Sequence, residues 1–116
     1  MLSKIAALTP TGAHIAKAPL AIAVLMDGAK LPEVDGARAA QNMIIAAWEI
    51  GIGACWITNF YDDAVKDLLS APQRMKLVSV IPFGYPKETK ITRKKVRKPI
   101  EEIVSYERLG ERTYHE

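Results

Sequence analysis

Cysteine is almost absent from this chain: Cys55 is the single one in 116 residues. That excludes an intramolecular disulfide and leads us to expect a reducing, cytoplasmic setting. No cluster of histidine, cysteine and carboxylate has metal-ligand spacing. The longest apolar run, Ala18–Met26, is too short to span a bilayer, and the N-terminus lacks the extended apolar region of a secretory signal. No glycine-rich phosphate turn follows the first apolar strand, and no serine lies in a nucleophile-elbow pattern. Aromatic residues make up 7% of the chain, and none falls between Lys87 and Lys98 where the basic residues cluster.

The composition describes one ordinary globular domain, 1–116, with 49% hydrophobic and 25% charged residues. A chain of this length buries about two thirds of its unfolded surface. The net charge of +3 is concentrated. Lys87, Lys90, Arg93, Lys94, Lys95, Arg97 and Lys98 lie within twelve residues, opposed there by Glu88. Such a block is either a local anion site or a solvated loop. Without interleaved aromatics it offers no base-stacking platform, so specific nucleic-acid recognition is not expected.

The centre of the chain is Asp35–Phe60, DGARAAQNMIIAAWEIGIGACWITNF. Ala37, Ala40, Ile44, Ala47 and Trp48 form one apolar stripe at helical spacing, and Ala39, Met43, Ala46 and Ile50 form a second. Arg38, Gln41, Asn42 and Glu49 leave only a narrow polar face. A helix wetted so thinly lies at the centre of its fold or in a subunit interface. Asp35 is the expected N-cap, and Gly51 and Gly53 are expected to end the helix at positive φ.

Residues 1–9 have helical spacing, like the tail of a longer element. Thr11–Lys17 reads as a loop pivoting at Gly12, with His14 on its surface. Pro19–Met26 is an apolar strand closed by Asp27-Gly28, and Ala29–Val34 connects it to the central helix. Ala54–Thr58 is a short second strand. Asp62 caps a helix over Asp63–Ser70, with Val65, Leu68 and Leu69 inward and Pro72 preventing continuation. Lys76–Phe83 is the third strand, Leu77, Ile81 and Phe83 alternating with Val78 and Val80. A basic arm and short helix fill 87–110, with Pro99 as first helical residue and Ile100, Ile103 and Val104 buried. Cys55 reads as a buried small hydrophobe. Asp62-Asp63 and Glu101-Glu102 suit helix starts rather than catalysis.

The order β-α-β-α-β permits a doubly wound α/β reading, although three strands make a thin sheet. The motifs point elsewhere. The run Asp35–Phe60, "LLSAP" at Leu68–Pro72, "VIPFGYP" at Val80–Pro86 and "KVRKPIEEIV" at Lys95–Val104 resemble, in order, the second half of a nitroreductase-family flavoprotein. The resemblance implies an α+β fold: a small, mostly antiparallel sheet packed with helices around a long buried central helix, assembled as a homodimer.

It also implies FMN as cofactor, NAD(P)H as hydride donor and a small electron acceptor. The loop Trp56, Ile57, Thr58 and Asn59 matches the segment whose backbone amides face the reactive edge of the flavin. Relatives commonly carry glycine at the position of Thr58 or Asn59. For Trp56 and Ile57, core packing remains the other reading. Lys95 and Arg97, before Pro99, match a basic pair that contacts the FMN phosphate. Residues two apart on an extended segment point the same way, and Arg adds a planar fork to the point charge of Lys. No side chain is assigned as catalytic and none as a metal ligand. The arginine- and serine-rich phosphate motif that precedes this region in the family has no counterpart before Pro19, so FMN binding by the chain alone is expected to be weak or absent. The sequence therefore supports a truncated nitroreductase-like oxidoreductase. The alternatives are a non-enzymatic anion-binding or structural dimer module, or one half of a split flavoprotein.

Overall fold

The computed structural model describes residues 1–87 and 95–113. Three strands form one antiparallel sheet in the order β1-β3-β2: β1 (Leu20–Met26), β2 (Gly53–Ala54) and β3 (Lys76–Gly84). Helix α1 (Leu2–Ala7), a 3-10 turn (Ala13–Lys17) and α3 (Asp62–Leu68) supply one face. There Ile5, Ile15, Ile57, Val65, Leu77 and Val80 make a buried cluster, with Ala21, Ala23 and Leu25 of β1 against it. Helix α2 (Pro32–Glu49) covers the other face, where Ala40, Val24, Ile81 and Phe83 form a second cluster. The architecture is α+β with an all-antiparallel sheet, as expected.

The central helix differs in its start and its surroundings. Leu31 is its N-cap and Pro32 its first residue, since a fixed φ and a missing donor suit the first turn. Asp35 is thus not the cap but lies inside the helix, its amide donating to the Leu31 carbonyl at 3.0 Å. Gly51 turns the chain at φ 81°, whereas Gly53 has no positive φ and belongs to β2. The first stripe packs on the sheet, Trp48 excepted. Most of the second is bare: Ala39, Ala46 and Ile50 are exposed, as are Ile45 and Trp48. Within one chain the helix is buried along one side only.

Strand β3 does not alternate simply. Val24 opposes Ser79 while Leu25 opposes Leu77, so Val78 is an inserted residue, a bulge that shifts the facing pattern. Leu77 and Val80 consequently share one cluster, and Val78, Ile81 and Phe83 the other.

Three further expectations change. The segment Thr11–Lys17 contains the 3-10 turn, with Gly12 buried under Thr9. Tyr61, not Asp62, precedes α3; Asp62 is its first residue and leans toward Lys66. In the arm, Pro99 is the N-cap of α4 (Ile100–Ile103), and Ile100 and Ile103 are 64% exposed rather than buried. Among the described residues their apolar pattern finds no covering surface.

The molecule is correspondingly open. Its accessible surface is 9006 Å², against about 6,300 Å² for a compact monomer of its mass. The radius of gyration is 18.1 Å, against about 13 Å for a globule of this length. No helix among the described residues is long and apolar enough to cross a membrane.

Candidate functional site

The loop after α2 runs from Cys55 to Phe60, between β2 and α3. It is pinned from beneath at Ile57. The Ile57 side chain is buried in the lower cluster, and its carbonyl accepts from the Val80 amide at 3.2 Å and the Ser79 hydroxyl at 2.9 Å. Ser79 is fully buried, so this side-chain bond satisfies a hydroxyl that would otherwise be costly in an apolar strand.

The Ile57 side chain therefore belongs to the core. Its neighbours face outward. Trp56 and Thr58 line a cleft of about 420 Å³ with Glu33 and Ala37 of α2, Phe60, Asp62, and Lys76 and Val78 of β3. Asn59 is exposed. Among the described residues no hydrogen bond occupies the backbone amide of Thr58 or Asn59. Two donors held by a buried anchor and left open can serve an acceptor on a planar ligand.

The cleft is polar at its mouth. Lys76 Nζ lies 3.5 Å from Glu33 Oε1. Asp62 Oδ2 reaches toward Lys66 at 3.8 Å, while Asp62 Oδ1 is buried with no partner among the described residues. Glu33 and Lys76 are far apart in sequence, and no local pattern links them. Ser79 did carry a signal: it is the one hydroxyl inside the apolar run Leu77–Phe83.

A second, shallower cleft of about 500 Å³ lies beside β2, lined by residues including His14, Lys17, Cys55, Phe83 and Tyr85. Cys55 is exposed there, not buried as its apolar neighbours suggest. Because β2 is only two residues long, the chain leaves the sheet at Cys55 with its amide on the Pro82 carbonyl at 3.3 Å, and the side chain faces out.

Lys95 and Arg97 are exposed. Among the described residues neither makes a hydrogen bond or ion pair, and neither lines either cleft. The structure brings Trp56 and Thr58 together and does not join the basic pair to them. Of the remaining basic block, Lys90, Arg93 and Lys94 lie outside the described residues.

Residues 8–85 match the nitroreductase family. The chain belongs to that family. In sequence it is 39% identical over 103 residues to the Methanothermobacter thermautotrophicus protein named "Putative NADH dehydrogenase/NAD(P)H nitroreductase", covering 80% of this chain and 53% of that protein. A Bacteroides thetaiotaomicron crystal structure of the same name superposes with TM-score 0.79 at 28% identity, over 91% of this chain and 65% of the other. An FMN-dependent nitroreductase from Clostridium difficile shares the fold with TM-score 0.78 at 23% identity, over 92% of this chain and 69% of its own. This nitroreductase-family chain thus spans about half the length of the curated relatives it matches.

Proposed function

We propose that this nitroreductase-family chain contributes the flavin-edge loop and the phosphate arm of an FMN-dependent NAD(P)H oxidoreductase that works as a homodimer. The observation that carries the reading is the pair of open amides at Thr58 and Asn59, held beside the cleft by the buried Ser79–Ile57 bond. These donors fit the acceptor edge of an isoalloxazine, Trp56 offers an aromatic wall, and Lys95 and Arg97 are free to meet a phosphate. When bound, FMN supplies hydride transfer between nicotinamide and an acceptor. The chain's own part is to orient the ring edge and neutralise the phosphate. The neighbours named as NADH dehydrogenase/NAD(P)H nitroreductase and as FMN-dependent support this reading.

The test is a flavin-fluorescence titration of wild type, Lys95→Ala and Arg97→Ala, with FMN and riboflavin in parallel. Each charged hydrogen bond removed should cost about 1.5–3 kcal/mol, roughly ten- to hundredfold in FMN affinity. Riboflavin, lacking the phosphate, should be nearly indifferent. Equal FMN binding by all three proteins would remove the phosphate assignment. If the wild type binds no flavin, the chain by itself is not a flavoprotein.

A further inference from the structure

Helix α3 opens on a carboxylate that its neighbours leave unserved. Lys66, one turn on, has three N–H donors, and other acceptors claim them: the Gln73 carbonyl at 3.0 Å, the Met75 carbonyl at 3.3 Å and Asp63 Oδ1 at 3.4 Å. Asp62 Oδ2 is left at 3.8 Å, too long for a hydrogen bond, and Oδ1 is buried with no partner among the described residues. The Asp62 side chain is nevertheless 38% exposed, and it lines the cleft of about 420 Å³ beside the loop 56–60.

The rest of the lining indicates what can serve it. Trp56 and Phe60 are half-buried, Trp56 packed on the α2 side of the sheet and Phe60 on the lower cluster. Both rings are thus held from behind while they wall the cleft. Aromatic faces attract cations and offer anions nothing comparable. Lys76, in the same lining, is already matched by Glu33 at 3.5 Å, in a pair exposed enough to be weak and screened. Among the described residues around the cleft, Glu33, Asp62 and Asp63 share the two ammoniums of Lys66 and Lys76, so one negative charge is left over. The Thr58 hydroxyl adds a neutral acceptor. A metal ion is poorly suited, since it needs oxygens all round and no group of three metal-ligating side chains occurs among the described residues.

We propose that this cleft binds a small aromatic ammonium ion, with its N–H donors on Asp62 and its ring against Trp56 and Phe60. Binding needs no flavin. With FMN on the neighbouring loop, the ion would stand where an electron acceptor stands, and that role alone rests on the flavin reading.

The experiment titrates the full chain, without flavin, with benzylammonium, benzyl alcohol and benzoate, which share a ring and differ in charge. NMR shifts of the Trp56 indole and the Thr58 amide report occupancy. The cation should bind about tenfold tighter than the alcohol, and benzoate weakest. Asp62→Asn should lower the cation's affinity about tenfold and leave the alcohol's unchanged, which also shows that the cleft stays formed. Lys76→Met removes the competing ammonium and frees Glu33, so it should raise the cation's affinity severalfold. Equal affinity for cation and alcohol overturns the proposal, as does a preference for benzoate, no binding by any of the three, or a cation affinity that Asp62→Asn does not change. Should Asp62→Asn lose both ligands, Lys76→Met decides, and a cation affinity that fails to rise there overturns the proposal. The FMN and riboflavin titration is a separate measurement, so failure of the flavin reading and failure of this one are told apart.

Discussion

The Ser79 hydroxyl donates to the Ile57 carbonyl across 2.9 Å inside the core, tying the central strand to the loop that presents Thr58 and Asn59. Ser79→Ala should destabilise the protein by about 1–2 kcal/mol, because the Ile57 carbonyl loses a buried partner. The Val80 amide, which donates to the same carbonyl, should exchange faster in the variant than in wild type. Unchanged exchange there would show that Val80 alone holds the loop.

Gly36 lets α2 lie directly on the bulge. A Cβ at this position would come 2.6 Å from Val78 Cγ2 and 3.0 Å from Val78 Cβ. Valine is stiff at χ1 and cannot swing aside. Gly36→Ala should therefore cost about 1–2 kcal/mol by overpacking, despite alanine's better helix propensity. Val78→Ala in the same chain should recover part of that loss. A double-mutant cycle by urea unfolding measures the coupling; additive effects would place the clash elsewhere.

Lys66 is a buried cation clasped by the chain that follows its helix. Its Nζ donates to the carbonyls of Gln73 at 3.0 Å and Met75 at 3.3 Å, and lies 3.4 Å from Asp63 Oδ1. Lys66→Met keeps the stem and removes the donors, so the 70–75 turn loses its tether. A loss of about 1.5–3 kcal/mol is expected, read as a lower urea midpoint at unchanged slope.

The bare side of α2 predicts association. Ile45 and Trp48 of α2 are 59% and 65% exposed, and Ile50 at its C-cap is 70% exposed, apolar surface of the kind that marks an interface. Light scattering over a dilution series should show a dimer, and Trp48→Ser should raise its dissociation constant by about thirtyfold or more, as for a central aromatic anchor. A well-folded monomer at every concentration would refute this.

The parts legible in the sequence were those set by local pattern. Two apolar stripes announced α2, an uninterrupted apolar run announced β1, and the alternation of Leu77, Ile81 and Phe83 with Val78 and Val80 announced β3. What the sequence hid depends on distant partners. The helix start moved to Pro32 because a proline at N1 outweighs Asp35 as a cap. The facing of β3 needed the bulge at Val78, which exists only through pairing with β1. Cys55 is exposed because β2 ends after Ala54, a fact of sheet geometry. Ile100 and Ile103 have the spacing of buried residues, but spacing does not reveal whether the covering surface belongs to the same chain. At the candidate site, Trp56 and Thr58 could be placed on one loop from sequence order, whereas Glu33 and Lys76 meet only in the fold.

The register that joins β1 to β3 pairs Leu20 with Phe83 and Met26 with Lys76, residues 63 and 50 positions apart. At a synthesis rate of roughly 5–20 residues per second, the first strand waits about 3–13 s for its mate. Helices α1 and α2 form from local contacts during that interval, but LAIAVLM has no local way to satisfy its backbone. Closing so long a loop is also slow in refolding. The seam between the first and last strands is thus the last part of this sheet to close, and the stretch that most needs shielding until it does.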